Sequence, residues 1–281
     1  MKNVIIHCLS LFFIGFIFFS CNRFQQPDYN HRISYFKNIS TQTPNDSVLR
    51  CVTFNIKMGF GIGDPWDKDQ RGADMESIKK IARLIRQVDA NIVALQEVAH
   101  NRYNADIKYY LETLATELNM NYAFGAHGYN DPYEIIPVEG HWGNAILSTF
   151  PIKNIHNQEV EYRSVWERRS MIDAQLHIND STVIHALSLH YLPTQEGIDR
   201  TAAYLPQLGD PYILMGDFNY IGPIAEFEPL GVSDVDSIGF THIIDRIFVD
   251  KSIFTVDEIG AAIDTMQTSD HPANFAVLRL K

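Results

Sequence analysis

Two patterns alternate along the chain, short runs that are apolar throughout and longer stretches with one apolar side. Ile78, Ile81, Ile85 and Val88 recur at helical spacing, with Lys79, Lys80, Arg83 and Arg86 on the other side, which predicts a helix over 73–88. A second helix is expected over 107–117. The other signals are strands, at 48–55, 91–95, 122–125, 143–148, 170–177, 183–190, 212–215, 244–249 and 275–280. Several of these are apolar at every position, so both of their faces must be covered. Strands of that kind with few helices imply two mixed β-sheets packed on one another with helices outside. The expected fold is one α/β domain of four layers, α/β/β/α. Ligand sites in such folds gather on the loops at one end of the strands.

The chain opens differently. Lys2 precedes an apolar run from Val4 to Phe19, shorter than the roughly 20 residues that span a bilayer comfortably. The run closes on Phe18-Phe19-Ser20-Cys21, which resembles the end of a bacterial lipoprotein signal. The expected organisation is a leader over 1–20, a lipidated Cys21 and polar tether over 21–47, and a catalytic body over 48–281. The protein would then be exported and held on a bilayer by its N-terminal lipid, in the periplasm or at the cell surface. An ordinary signal peptide with a chance cysteine would export it equally. Cys8 leaves with the leader, so Cys51 is the one cysteine inside the body, which must fold without a disulfide. A body of this size buries enough surface to do so.

Composition narrows the partners. With 46% hydrophobic and 20% charged residues the chain is neither fibrous nor disordered. Its net charge is −11, and −12 once a leader containing only Lys2 is removed. Such a chain does not hold nucleic acid or anionic lipid through its overall field, and contact with a polyanion has to be local, through a metal ion or a few arginines. There is no basic stripe with interleaved aromatics. No oligomer is indicated.

Short segments far apart in sequence each put oxygen or imidazole groups at the end of an apolar strand. They are Thr53-Phe54-Asn55, Leu95-Gln96-Glu97-Val98, Ser188-Leu189-His190, Met215-Gly216-Asp217-Phe218-Asn219, Ile244-Asp245-Arg246-Ile247 and Ser269-Asp270-His271-Pro272. Any one of them alone would be a solvated turn. The glycines at 59–63 do not open directly into a helix and lack dinucleotide-binding spacing. No His-Glu-x-x-His stands in the chain, and the oxygen-rich set suits Mg²⁺ or Mn²⁺ better than zinc.

Taken in order, these segments resemble the endonuclease/exonuclease/phosphatase family, whose fold is DNase I-like. Gly143-Asn144-Ala145-Ile146-Leu147-Ser148 with Pro151-Ile152, and Arg168-Arg169, are similar to the strands that follow in that family. The resemblance implies that Glu97 holds the metal with Asn55 beside it, and that Asp270 offers a second metal contact. It implies that Asp217 orients or deprotonates water, that Asn219 holds this water or the phosphate, and that Asp245 fixes the imidazole of His271. His190 would donate to a phosphate oxygen, and Asn144 and Arg169 would touch the substrate phosphate. Members divide base and acid roles differently, so the division among Asp217, His190 and His271 stays open. His190 also reads as a satisfied strand-end histidine and Arg168-Arg169 as a solvated strand start. His141 and His185 read as structural or surface residues.

The function implied is an exported, divalent-metal-dependent phosphoesterase acting on a small or lipid-linked phosphate ester. The stretches 190–217 and 217–245 look short for the family, leaving little rim to track a polymer. The alternative is a secreted DNase- or RNase-type nuclease, with nucleic acid as substrate only. A binding protein that kept the fold without the chemistry is disfavoured, because every position that can be matched carries the expected residue.

Overall fold

The computed structural model describes residues 32–41, 48–67, 69–102, 104–129, 141–163, 168–235 and 244–281. Thirteen strands among the described residues form two mixed sheets. The first contains β1 (Arg32–Lys37), β2 (Val48–Asn55), β3 (Ile92–His100), β4 (Asn121–Tyr129), β5 (His141–Ser148), β12 (Phe254–Ala261) and β13 (Asn274–Leu280), in the order β1-β4-β5-β3-β2-β13-β12. The second contains β6 (Ile152–Tyr162), β7 (Arg168–Asn179), β8 (Thr182–His190), β9 (Tyr212–Asp217), β10 (Val232–Asp234) and β11 (Asp245–Asp250), in the order β10-β11-β9-β8-β7-β6. β2 and β3 run parallel, as do β8 and β9, and their neighbours are antiparallel.

Three apolar layers hold the sandwich. Between the sheets lie Cys51, Ile92, Ile146, Phe150, Ile172, Ala186, Met215 and Ile247, all inaccessible to solvent. Outside the first sheet pack α1 (Met75–Gln87) and α2 (Tyr110–Leu118), and outside the second α3 (Gln195–Tyr204). The α1 apolar stripe at Ile78, Ile81 and Ile85 is buried as its spacing predicts. Its start is set by Asp74 and Ser77, each accepting from the other's backbone N–H. The four-layer α/β/β/α sandwich expected from the sequence is therefore the fold. No helix among the described residues is long and apolar enough to cross a membrane.

Some boundaries differ from expectation, and for one reason. The unexpected elements β6, β12 and α3 each have one side in water or carry polar residues throughout, so they lack the apolar signature of the central strands. β1 is the larger correction, because it lies inside the segment expected to be a tether. It pairs with β4, and Ile33 and Tyr35 pack on the core beneath α1 and α2. Two inward residues in a polar stretch are too few to read as a strand, yet enough to dock one on a waiting edge. The folded body thus begins by Arg32 and not at Val48. Cys21 and the leader lie outside the described residues, as does most of the segment between β4 and β5 with Tyr133, Ile135 and Ile136.

Tyr35 also hydrogen-bonds His100 Nδ1 at 3.1 Å and packs against Phe124. Tyr35→Ala should therefore lower unfolding stability by about 2–3 kcal/mol, measured by urea denaturation. A change near zero would return β1 to the tether.

Candidate active site

At one end the layer between the sheets turns from apolar to polar. Here the C-terminal ends of β2, β8 and β9 meet the N-terminal ends of β5, β7, β11 and β13. Buried side chains tie the sheets together across this end. Asn55 donates to Asp217 Oδ2 at 3.0 Å and to Glu97 Oε1 at 3.1 Å. Gln96 donates to Ser188 Oγ at 3.0 Å, and Asn144 to the Ser170 carbonyl at 2.6 Å. Asn274 donates to the Asp245 carbonyl at 2.9 Å.

Backbone irregularities aim two of these groups. β3 changes register against β5 between Leu95 and Val98, and Glu97 within that bulge has φ 52°. An ordinary strand would keep Glu97 in the alternation, whereas the bulge turns its carboxylate towards Asn55. Asn219, with φ 46°, sits in the sharp bend after β9, its N–H on Asp217 Oδ1 at 3.0 Å and its side-chain amide on the Tyr191 carbonyl at 3.0 Å. Glu97 thus holds a backbone region that a residue other than Gly, Asn or Asp rarely adopts, whereas Asn219 is of a type that takes it readily.

The charges are arranged by register. Asp217 and Asp245 face each other on β9 and β11, both buried. Burial and the Asp245 charge push the Asp217 carboxyl up to about 7. His271 answers the pair, with Nδ1 2.8 Å from Asp245 Oδ2 and 3.8 Å from Asp217 Oδ2. Burial alone would lower the His271 pKa, but the Asp245 hydrogen bond and the surrounding carboxylates raise it to about 9. His190 stands opposite, Nε2 3.6 Å from Asp217 Oδ2. Burial first, then the nearby Arg169 and His271, hold it well below the usual imidazole range, so it is neutral. Glu97 is raised chiefly by burial, against the pull of Asn55, His271 and Arg169.

Asn55, Glu97, His190, Asp217, Asn219, Asp245 and His271 are thus brought together as expected. Arg169 joins them, close enough to Glu97 and His190 to shift both, with its guanidinium 4.8 Å from the Trp142 ring centre. Two expectations change. Asn144 is wholly buried and spends its donor on the β7 backbone, so it ties the sheets at the place where a phosphate contact was expected. Asp270 sits half-exposed at the rim, paired with Lys57 Nζ at 2.7 Å, and this cation overrides its partial burial and keeps the carboxyl below the ordinary range. His185 is structural, buried against Asp173 at 2.7 Å on the outer face of the second sheet.

Several members of the site carried no sequence signal. Lys57 follows two residues after Asn55 and hides among ordinary surface lysines. Glu161, buried at the end of β6, accepts from the Leu192 N–H and the Thr194 hydroxyl, fixing the segment that follows His190. His127 accepts the Ser170 N–H at Nδ1, which puts its own proton on Nε2. Its ring packs on Trp142 at 4.6 Å and lies 6.0 Å from His190.

The donor set fits a hard divalent cation. Asp217, Asp245 and His271 present ligand atoms within 4.8 Å of one another. His271 is held protonated by its partners, so this trio reads more naturally as an imidazolium between carboxylates. Glu97 and the amide oxygen of Asn55 are the harder oxygen donors, and the raised Glu97 and Asp217 carboxyls are what a cation would relieve.

Comparison with known proteins agrees with this geometry. The pattern of the Endonuclease/Exonuclease/phosphatase family matches residues 52–271. The uncharacterized protein YbhP of Escherichia coli K12 is 28% identical over 148 residues, 48% of this chain and 56% of YbhP. The match thus spans only a little over half the length of these curated relatives. An endonuclease/exonuclease/phosphatase from Beutenbergia cavernae superposes with a TM-score of 0.63 at 18% identity, over 83% of this chain and 72% of that one. The human Nocturnin catalytic domain, solved with a bound sulfate anion, superposes at 0.61 and 15% identity, over 89% and 98%.

Both raised groups have the same consequence for pH in the metal-free protein. Asp217 stays protonated to about 7 when folded but ionises near 3.8 when unfolded, so stability falls as pH rises across that window. His271 contributes stability that is whole below 6.5 and lost as pH passes about 9. The melting temperature in EDTA should therefore fall from pH 5 to pH 9, and Mg²⁺ or Mn²⁺ should raise it more at pH 8.5 than at pH 6. Calorimetry checks this, and a metal effect independent of pH would dissociate the cation from these carboxylates.

Proposed function

Because the chain belongs to the endonuclease/exonuclease/phosphatase family, we propose that it hydrolyses a phosphate ester by attack of water on phosphorus, assisted by a divalent metal ion. The substrate is a small or lipid-linked ester, and the protein works outside the cytoplasm, anchored through Cys21. One observation carries the chemistry, the hydrogen-bonded run Glu97–Asn55–Asp217 facing the His271–Asp245 pair. It sets a group able to accept a proton against a group able to give one, across a space lined by further donors.

Glu97 and Asn55 would hold Mg²⁺ or Mn²⁺, which polarises a phosphoryl oxygen when bound. Asp217, poised near neutrality, takes the proton of the attacking water, and Asn219 steadies Asp217 through its backbone N–H. As the water oxygen bonds to phosphorus the ester P–O bond breaks, and the departing oxygen takes a proton from the His271 imidazolium. His271, kept charged by Asp245, stabilises the growing negative charge. Neutral His190 offers its ring N–H to a non-bridging oxygen, and Arg169 lies near enough to add its fork.

The nuclease reading draws on a different observation. Arg102, Trp66, Trp142 and Arg169 form a continuous run of cations and rings, with 4.7, 5.8 and 4.8 Å between successive members, beside the site. Bases stack on such rings. The net charge of −11 weighs against a long polyanion and leaves the small-ester reading first.

Two variants test the proposal. Glu97→Gln should weaken metal dependence and turnover while leaving the melting temperature of metal-free protein nearly unchanged, whereas a large loss of stability would make Glu97 structural. His271→Ala should lower turnover of bis-p-nitrophenyl phosphate by about 10²-fold or more. Near-normal turnover would remove it from the reaction.

A further inference from the structure

Among the described residues, four large apolar side chains that remain exposed lie at one end of the sandwich, the end where the site opens. Ile62 and Trp66 belong to the loop after β2, Tyr162 ends β6 and Ile221 follows β9. Pairing fixes the end of each. β2, β6 and β9 finish level with Asn55, Arg168 and Asp217, all at the polar mouth. Ile221 and Ile62 are 70% and 69% exposed, and Trp66 is 51% exposed although it edges Trp142 beside His190. Scattered exposed apolar residues need no explanation, but a concentration around one opening does.

The second observation is where the chain enters. β1 runs antiparallel to β4, with Ser34 opposite Gly125 and Arg32 opposite Tyr129. Gly125 in turn lies opposite Asn144. The N-terminal end of β1 is therefore at the mouth end as well. From Cys21 to Arg32 the chain can span at most roughly 40 Å when fully extended. An anchor at Cys21 would therefore join the domain at its mouth end.

We infer that the ring of exposed apolar side chains around the mouth rests on the bilayer that carries the anchor, so that the site takes phosphoesters at the lipid surface. This deepens the phosphoesterase reading and relies on it for the substrate. The acidic chain fits a neutral or zwitterionic headgroup layer, held by apolar insertion of Ile and Trp and not by attraction to anionic lipid.

The test uses the full-length chain, purified in its membrane-bound form and reconstituted in phosphatidylcholine vesicles. Trp66 should be quenched by dibrominated phosphatidylcholine, read as the part of the emission that Trp66→Phe removes. The combined variant Ile62→Asn, Ile221→Asn alters only exposed positions. It should lower turnover of hexadecyl p-nitrophenyl phosphate embedded in the vesicles by about 10-fold or more, with soluble bis-p-nitrophenyl phosphate cut as before. Equal turnover of the embedded ester by both proteins, or no quenching of Trp66, would overturn the docking. Should the parent chain cut neither ester, the phosphoesterase reading fails while the quenching still decides the docking.

Discussion

Everything at the polar end of the sandwich rests on two carboxylates that the fold forces together. Asp217 and Asp245 face each other on adjacent strands with no access to water, an arrangement that repels unless something positive stands between them. His271 supplies the charge from the loop before β13, a strand of the other sheet. Asn55 supplies a donor from β2. The sheets are therefore joined at this end by electrostatics, and along the rest of their length by apolar contact. The price of such an end is stability.

The same logic explains why the surroundings are polar yet buried. Gln96 with Ser188, Asn144 with Ser170 and Asn274 with Asp245 each satisfy a group that the sandwich would otherwise leave unpaired. They also fix the spacing of the sheets to within a hydrogen bond, which keeps Glu97 and Asp217 on opposite sides of Asn55. Close backbone approach assists. A Cβ on Gly143 would meet the Gly125 carbonyl at 2.1 Å, so β4 and β5 lie together only because position 143 is glycine. That contact carries Trp142 and His127 to the edge of the site. Glu161 does the equivalent for the second sheet, holding the backbone just past His190 while its charge faces Arg169.

The mouth combines two solvents. Its floor is charged and hydrogen-bonded, and its rim carries isoleucine and tryptophan. In the proposed docking the rim would meet a lipid layer, where a local apolar contact can operate despite an acidic whole.

How much was legible in the sequence follows from which residues announce themselves locally. The central strands are covered on both faces, so their apolar runs alone specified two packed sheets, and the 3.6-residue spacing of Ile78, Ile81 and Ile85 specified α1. The segments around Asn55, Glu97, His190, Asp217, Asp245 and His271 announced the chemistry because each polar group interrupts or ends such a run. Edge and covering elements announced little. β1, β6, β12 and α3 take their form from a neighbour already in place, and their half-polar sequences resemble loops until that neighbour exists. Roles that depend on a partner distant in sequence were decided by the tertiary structure alone. Asn144 became a tie between sheets because Ser170 lies against it, Asp270 became a rim carboxylate because Lys57 reaches it, and Glu161 entered the site from a strand that had no signal. A residue type fixes which bonds are available, and only the folded chain fixes which of them are already spent.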